Sequence, residues 1–305
     1  MKILIVASYN KNRFASFIQE QADALAKAGC KIGYFGIQGK GVSGYLKQLS
    51  ELKRKIKEFQ PDIIHAHYGL SGLLANLQRR IPVVTTYHGS DINNANARRF
   101  SKIAMKMSAY NVFVSQKTLD LAKPKRNFDL LPCGINLEDY PVVDKLEARK
   151  QMGLDAQKKY VLFAGAFDNA VKNAPLAQQA VALLPDVELL ELKGYSRQQV
   201  ALLMQASDCF LMTSFTEGSP QVIKEAMACG CPIVSVDVGD VSENIQNLDG
   251  CCIVPRNEKN ISDTIMGIID SPSRTKGRDR IIDLNMINSR VADRLTEIYR
   301  LLINK

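Results

Sequence analysis

Short apolar runs alternate with longer amphipathic stretches along most of this 305-residue chain, and this alternation is the feature that most restricts its fold. In the first half, helix-like stretches such as 13–28 and 45–59 separate the apolar runs. The strand candidates there are residues 2–7, 31–37, 62–66, 82–87, 110–114 and 128–131. This order predicts β-α-β units, which build a parallel sheet with helices on both faces.

The alternation of apolar runs and amphipathic stretches is interrupted around residues 132–158 and then resumes. Pro132, Gly134 and Pro141 are turn signals, and a charged stretch from Asp144 to Lys159 follows them. Further strand candidates are residues 160–164, 187–190, 208–212, 232–236 and 251–254, and a helical spacing of apolar residues covers 286–304. We therefore predict an α/β protein of two doubly wound domains, divided between residues 141 and 142, with ligands bound at the carboxyl ends of the strands in a common cleft.

Composition excludes several classes of protein. No apolar run approaches the roughly 18–20 residues that a membrane-spanning helix needs. The apolar segment after Lys2 is too short for a secretory signal, so we expect a cytoplasmic protein. Seven cysteines, most of them in apolar contexts, suggest buried reduced thiols, and Cys229-Gly230-Cys231 lacks the second pair that a zinc site requires.

The net charge of +9 is unevenly distributed, because the whole positive excess lies in residues 1–141. Basic clusters occur at Lys53–Lys57 and at Arg98, Arg99, Lys102 and Lys106. They fit either solvated helix faces or docking on an anionic membrane surface near a lipid-linked acceptor. Nucleic-acid binding is disfavoured, since the clusters lack interleaved aromatic residues and the chain has no Trp.

The most informative segment runs from Thr213 to Ala226. A strand ends near Thr213, and a helix is predicted to begin with Ser219 as N-cap and Pro220 as its first residue. The amides at such a helix start can bind an anion. Glu217 stands just before them, and Glu225 lies about 9 Å further along the helix. The order of these groups matches that of a nucleotide-diphosphate sugar, with its sugar at Glu217, its diphosphate at the helix start and its ribose at Glu225.

The string Glu-Gly-Ser-Pro-x4-Glu-Ala at Glu217–Ala226, followed by Gly-x-Pro-Ile-Val, resembles the Glu-x7-Glu motif of the retaining glycosyltransferase family 4. The resemblance implies the GT-B fold, with a C-terminal helix, residues 288–305, that returns to the first domain (1–141) and leaves 142–287 as the nucleotide-sugar domain. It also implies donor binding by Gly218, Ser219, Pro220, Gln221, Val222 and Glu225, with Glu217 orienting the sugar. The alternative is a solvent-facing Glu225 and a Glu217 that caps a turn.

Residues Gly165 to Asn173 are similar to the phosphate loop of this family, in which an Arg and a Lys hold the diphosphate. Lys172 matches the Lys, but Ala166 or its neighbour stands where the Arg is expected. Lys193, in a segment with Tyr195 that also follows a strand, or Arg13 in the first domain could supply the missing cation. No Asp-x-Asp triplet occurs, which agrees with the metal-independent chemistry of the family.

Three histidines lie at the ends of strands in the first half. The segment Thr86-Tyr87-His88-Gly89 resembles the His-Gly segment of the family, in which the histidine reaches the donor sugar. His65 and His67 share one face at the end of the preceding strand. We predict a catalytic role for His88, together with Lys172 and Glu217, while His67 has either a functional or a structural role.

The predicted function is transfer of a sugar, from a nucleotide-diphosphate sugar of the uridine type, to a saccharide or lipid-linked acceptor hydroxyl, with no cofactor or metal. A nucleotide-sugar epimerase and a non-catalytic binding protein remain alternatives, because one fold serves several reactions and Ala166 weakens the phosphate loop. Gly39–Gly44 fits Gly-x-Gly-x-x-Gly but follows the second strand, so it is interpreted as a flexible loop near the acceptor rather than a dinucleotide site.

Overall fold

The computed structural model describes residues 1–10 and 12–304 and divides the chain into two compact units. Unit 1 comprises Met1–Gly134 together with the residues from Met286 onwards, and unit 2 comprises Ile135–Asn285. The sequence places the first boundary later, after residue 141.

Unit 1 is built on a six-stranded, fully parallel sheet in the order β2-β1-β3-β4-β5-β6. Its strands are β1 (Lys2–Ser8), β2 (Lys31–Ile37), β3 (Ile63–His67), β4 (Val83–Tyr87), β5 (Tyr110–Phe113) and β6 (Phe128–Leu130). All six predicted strands are present, to within one residue at each end. The central strands β3 and β4 are buried along their whole length, because parallel strands carry helices on both faces.

Eight helices of the described chain surround this sheet. They are α1 (Ser16–Lys27), α2 (Gly41–Leu46), α3 (Leu49–Phe59), α4 (Gly69–Asn76), α5 (Ser90–Asn93), α6 (Ala95–Met107), α7 (Gln116–Ala122) and the C-terminal α15 (Asn288–Ile303). The returning C-terminal helix buries Val291, Leu295 and Ile298 in one core with Ile3 and Ile5 of β1.

Two predictions for unit 1 are wrong in detail. The stretch 45–59 is not one helix, because the chain breaks between α2 and α3 at Lys47 and Gln48. Residues Gly41–Gly44 are not a flexible loop but the first turn of α2. The close approach of Gly39 to Gly44 explains the glycines, since a Cβ on Gly39 would lie 2.7 Å from the Gly44 carbonyl oxygen.

Unit 2 contains a five-stranded parallel sheet in the order β11-β10-β9-β7-β8. The strands are β7 (Lys159–Phe163), β8 (Val187–Leu190), β9 (Cys209–Met212), β10 (Ile233–Ser235) and β11 (Cys251–Ile253). The helices are α8 (Lys145–Met152), α9 (Ala174–Val181), α10 (Arg197–Ala206), α11 (Gln221–Ala228), α12 (Val241–Ile245), α13 (Glu258–Asp270) and α14 (Gly277–Asp283). All five strands match the sequence-based expectation to within one residue at each end.

The charged stretch from Asp144 to Lys159, which follows the predicted boundary, is a folded part of unit 2. Asp144 caps α8 through the amides of Leu146 and Glu147, and Gly153 ends the helix with φ +67°. Arg149 points inwards and donates to Asp208 at 2.9 Å in a buried ion pair. Residues 135–141 join the same unit, because the Arg278 guanidinium donates to the carbonyl oxygens of Leu137 and Tyr140.

None of the helices in the described part of the chain is both long and apolar enough to cross a membrane. All seven cysteines are free thiols, five of them buried, which agrees with the expectation of reduced cysteines.

Candidate functional site

The segment that carries the Glu-x7-Glu spacing joins β9 to α11 in unit 2. Glu217 lies in the loop after the strand, at the carboxyl edge of the sheet, and Glu225 is the fifth residue of the helix. Both residues are half-buried. The strand–loop–helix context that the motif requires is therefore present.

Lys172 and Glu217 form an ion pair in this structure. The Lys172 Nζ donates to Glu217 Oε1 at 2.7 Å, and the two side chains are 19% and 17% exposed. Lys172 ends a single 3-10 turn, Ala170–Lys172, which the Asn169 side chain caps. Gly165 is required beside it, since a Cβ there would lie 2.9 Å from Lys172 Cγ. The fold thus brings together the residues predicted to contact the diphosphate and the sugar.

Further hydrogen bonds tie the phosphate loop to the motif loop. The Thr213 hydroxyl lies 2.9 Å from the carbonyl oxygens of both Lys172 and Asn173, and the Phe215 amide donates to the Val171 carbonyl oxygen. Because Asn173 adopts the left-handed conformation, the chain reverses sharply before α9. The two loops therefore form one hydrogen-bonded unit, and a displacement of one loop would displace the other.

The predicted start of α11 is wrong by one residue. The helix begins at Gln221 with Pro220 as N-cap, rather than at Pro220 with Ser219 as N-cap. The physical reason is the Ser219 hydroxyl, which donates to Asp240 Oδ2 at 2.6 Å and accepts from Lys224 Nζ at 2.9 Å. A hydroxyl held by these two side chains does not cap the helix.

Lys224 and Asp240 are both buried, and Lys224 is fully inaccessible to solvent. The Lys224 ammonium also donates to Gln221 Oε1 at 3.1 Å, within the first turn of α11. Burial raises the pKa of Asp240, although Lys224 and the Ser219 hydroxyl oppose the shift. Gly239, next to Asp240, has φ +58° and packs on Gly218. A Cβ on Gly239 would lie 2.7 Å from the Gly218 carbonyl oxygen.

Lys193, a candidate for the missing phosphate cation, lies beside the phosphate loop. Its ammonium donates to Asp168 Oδ2 at 2.6 Å, and both side chains are more than half exposed. Tyr195, two residues later, is also exposed. The structure therefore places Lys193 and Tyr195 on the surface, with Lys193 already paired to a carboxylate of the loop that contains Ala166.

Sequence reasoning missed Arg256, which follows β11 at the same carboxyl edge of the sheet. Its guanidinium donates to the Ser214 carbonyl oxygen at 2.8 and 3.1 Å, and it lies over the exposed Phe215 ring. Its position shortly after a strand could have identified it from the sequence, because the other candidates were chosen by that criterion. Arg256 adds a cation to the motif loop.

In unit 1, His88 lies at the carboxyl end of β4, and both of its ring nitrogens face other side chains. Its Nε2 is 3.0 Å from His67 Nδ1, and its Nδ1 is 3.7 Å from the Cys133 thiol. Asp91 holds the backbone of this turn by accepting from the amides of His88, Gly89 and Gly69. Burial raises the Asp91 pKa to about 6, although these amides oppose the shift.

His65, His67 and His88 form what we call the histidine cluster. The His65 ring is stacked on His67 and is fixed by the Tyr299 hydroxyl at 2.5 Å and the Thr86 hydroxyl at 2.7 Å. Burial lowers the pKa of His65 to about 3 and lowers that of His67 well below its usual value. Within the described residues, His67 Nε2 is buried without a hydrogen-bond partner. His65 and His67 are therefore neutral at pH 7, and His65 is structural.

The basic clusters of unit 1 lie on α3 and α6, as expected from the sequence. On α3, Arg54 is paired with Glu51 and Glu58 on the solvent-facing side, and Leu52 is buried. Leu46, the last residue of α2, is 40% exposed. The ion pairs fit a solvated helix face, and docking on an anionic membrane stays a prediction.

These two parallel-sheet α/β units, each with candidate site residues at the carboxyl ends of its strands, define the GT-B class of fold. Comparison with known families agrees with this class. The profile described as Glycosyltransferase Family 4 matches residues 31–139, and that described as Glycosyl transferases group 1 matches residues 154–271. The chain belongs to the family 4, group 1 glycosyltransferases.

Two curated relatives illustrate the degree of similarity. The putative teichuronic acid biosynthesis glycosyltransferase TuaC of Bacillus subtilis is 28% identical over 241 residues, which cover 69% of this chain and 62% of TuaC. The D-inositol 3-phosphate glycosyltransferase of Mycolicibacterium vanbaalenii is 26% identical over 238 residues, covering 58% of this chain and 52% of that protein. The chain thus spans only about half to three-fifths of the length of these relatives.

Solved structures share the fold over nearly the whole chain. Sucrose-phosphate synthase of Thermosynechococcus elongatus has a TM-score of 0.87 at 18% identity, covering 100% of this chain and 99% of that one. Anabaena HepE, solved in complex with UDP, has a TM-score of 0.78 at 16% identity, covering 97% and 99% of the two chains. At these identities the likeness establishes the GT-B fold alone.

Proposed function

We propose that this protein transfers a glycosyl group from a nucleotide-diphosphate sugar to an acceptor hydroxyl, with retention at the anomeric carbon and without a metal ion. The observation that carries the proposal is the Lys172–Glu217 pair of 2.7 Å at the edge of the sheet, next to the start of α11. It joins a cation suited to a diphosphate to a carboxylate suited to sugar hydroxyls.

The donor would bind with its diphosphate at the first amides of α11 and at Lys172. Both groups would stabilise the negative charge that develops on the leaving diphosphate. Glu225, about one and a half turns into the helix, would accept from the ribose hydroxyls, and His88 of unit 1 would bind hydroxyl groups of the sugar. Arg256 and Lys193 are the two cations of unit 2 that could compensate for Ala166, and Arg256 is favoured because it contacts the motif loop itself.

Uridine diphosphate is the first donor nucleotide to test. HepE has been solved with UDP, with UDP and glucose, and with UDP-glucose, and it shares the fold of this chain. For the acceptor, a cavity of about 590 Å³ in unit 1 is lined by Arg13, Phe14, Tyr45 and Tyr68 among others. Aromatic rings stack on sugar faces and Arg13 suits an anionic group, so an acidic saccharide acceptor is the proposal for this cavity.

The experiment that tests this function is a thermal-shift screen of nucleotide diphosphates and their sugars, with and without EDTA, followed by a transfer assay with the best donor. We expect stabilisation by one nucleotide that survives EDTA, and sugar transfer only when acceptor is present. Turnover of the nucleotide sugar without acceptor would favour an epimerase. Donor binding with no turnover against any acceptor would favour a binding protein.

A further inference from the structure

His67 is buried at the end of β3, and only one of its two ring nitrogens takes part in a hydrogen bond. Its Nδ1 lies 3.0 Å from Nε2 of His88, whereas its own Nε2 is buried without a partner among the described residues. A buried polar atom without a partner is rare in folded proteins and calls for an explanation. The role of His67, which the sequence leaves open between function and structure, therefore depends on how the two rings share a proton.

The hydrogen bond between His67 and His88 contains one proton, and either ring can supply it. Burial lowers the pKa of His67 well below its usual value, so its ring is neutral and carries a single proton. If His88 donated, that proton would lie on His67 Nε2, as a buried N–H without an acceptor. If His67 donates from Nδ1, only a lone pair is left unpaired at Nε2. Buried N–H groups without an acceptor are rarer than buried acceptors without a donor, so donation by His67 is favoured.

Donation by His67 also determines the state of His88. Because His88 Nε2 accepts, the single proton of a neutral His88 ring lies on Nδ1. A doubly protonated His88 would again place the proton of His67 on the buried Nε2, so the pairing favours a neutral ring. His88 Nδ1 faces the Cys133 thiol at 3.7 Å. Sulfur is a weak acceptor, and a hydroxyl oxygen is a better acceptor for this N–H.

Other groups hold the His88 ring in place but do not select the nitrogen that carries its proton. Phe17 and Tyr68 pack on the ring, with centroids 4.8 and 4.6 Å from its own. Asp91 accepts from the backbone amide of His88. Neither the ring packing nor the amide contact distinguishes Nδ1 from Nε2, whereas the hydrogen bond from His67 does.

We propose that His67 is a positioning residue, which donates from Nδ1 to His88 Nε2 and so presents a neutral His88 with its proton on Nδ1, where it can be donated to a hydroxyl oxygen of the sugar. The hydrogen bond at one ring nitrogen of a histidine sets the proton at the other. This inference rests on the proposed function, because it concerns the histidine that is proposed to bind the sugar. His67 acts through His88 and does not itself contact the substrate.

The first test measures the proton positions and needs no ligand. Long-range proton–nitrogen correlation spectra distinguish protonated from unprotonated ring nitrogens, and the chain contains only three histidines, which single substitutions assign. At pH 7 we expect His67 and His88 each to carry one proton, on Nδ1. A proton on Nε2 of His88 in the wild type would overturn the proposal, and so would a doubly protonated ring.

The second test compares sugar transfer by two variants of His67. His67→Leu removes the donor, whereas His67→Asn is the matched control, because its side-chain amide keeps a donor close to the position of Nδ1. We expect His67→Leu to lower kcat/KM about tenfold, the contribution of one hydrogen bond, and His67→Asn to stay within about threefold of the wild type. The affinity for UDP should be unchanged in both. Equal losses in the two variants, or wild-type transfer by His67→Leu, would overturn the proposal.

A double variant separates positioning from a general loss of structure. If His67 acts through His88, His67→Leu should have no further effect on kcat/KM once His88 is replaced by Ala, whereas independent effects would multiply. Multiplied losses would contradict the proposal. If no sugar transfer is found with any donor, the proposed function fails, and the spectra still decide whether His67 sets the proton of His88.

Discussion

The polar side chains at the strand ends differ between the two units: unit 1 has buried neutral histidine rings, and unit 2 has ion pairs. In unit 1 the buried rings of the histidine cluster are neutral, because burial lowers the pKa of His65 to about 3 and also lowers that of His67. In unit 2 the polar side chains are charged and compensated, as in Lys172–Glu217. Imidazole nitrogens can exchange hydrogen bonds with the uncharged hydroxyls of a sugar, whereas a cation beside a helix start suits a diphosphate.

We therefore predict that nucleotide binding depends on charged side chains in unit 2, and that turnover depends on the positions of the histidine rings in unit 1. Substitutions that remove charge from the phosphate loop should therefore weaken nucleotide binding and turnover together. Substitutions in the histidine cluster should change turnover while nucleotide binding is retained. The following predictions test this division.

The largest effect is expected for Lys172→Met. This change removes the cation proposed to bind the diphosphate and leaves the partly buried Glu217 carboxylate without this partner. Loss of one group that stabilises developing charge costs on the order of 10²–10³ in rate. We expect kcat/KM to fall by about that factor and UDP to bind more weakly. Turnover close to that of the wild type would remove Lys172 from the donor site. Lys158→Met is the matched control, because Lys158 belongs to an exposed ion pair with Glu188 in the same unit.

A smaller effect is expected for Glu217→Ala, and it should separate binding from turnover. The change removes the carboxylate proposed to orient the sugar but releases Lys172 for the diphosphate. We expect kcat to fall about 10²-fold, while UDP binds at least as tightly as to the wild type. Calorimetric titration with UDP and a transfer assay provide the two values. Unchanged transfer by the variant would show that Glu217 has no role in the reaction.

The sequence predicted the strands of both units and the Glu-x7-Glu segment because these depend on local patterns. A parallel strand buried on both faces is a continuous apolar run, as in Ile63 and Ile64 of β3. The glycines and the carboxylates of the motif have a fixed spacing that can be read directly. This information was sufficient to locate the candidate site at the carboxyl edges of the two sheets.

The errors arose where distant side chains override a local preference. The Ser219 hydroxyl caps nothing because Asp240, 21 residues later, accepts from it. The charged stretch 144–159 was not assigned a helix, yet Lys145–Met152 form α8, whose Arg149 reaches the buried Asp208, 59 residues away. Arg256 also follows a strand, but its hydrogen bond to the Ser214 carbonyl oxygen, 42 residues away, depends on the folded structure. Capping rules and charge patterns contain no information about such partners.

His88→Ala tests the role proposed for the histidine cluster of unit 1. The ring is proposed to bind sugar hydroxyls, and hydrogen bonds of this kind contribute enough for a loss of about tenfold to hundredfold in kcat/KM. The affinity for UDP should stay unchanged, because the nucleotide carries no sugar to be transferred. Weaker UDP binding by this variant would contradict a division in which unit 2 alone binds the nucleotide.

The smallest predicted effect is a difference in acid stability between the units. The folded pKa of His65 is about 3 against an ordinary value of 6.5, so the unfolded state binds more protons and stability is lost as pH falls below about 6.5. His67 acts in the same direction. Asp91 opposes them between about pH 6 and 3.8, because its raised pKa makes the folded state bind the extra proton.

Two histidines against one carboxyl mean that unfolding of unit 1 takes up protons as the pH falls from about 6.5 to 5, so its stability decreases. In unit 2 the raised pKa of Asp240 has the opposite sign, so acidification favours its folded state. Hydrogen exchange at pH 7 and pH 5, corrected for intrinsic rates, should show lower opening free energies for β3 and β4 but not for β9. A parallel decrease in both units would mean that the histidine cluster is not the acid-sensitive element.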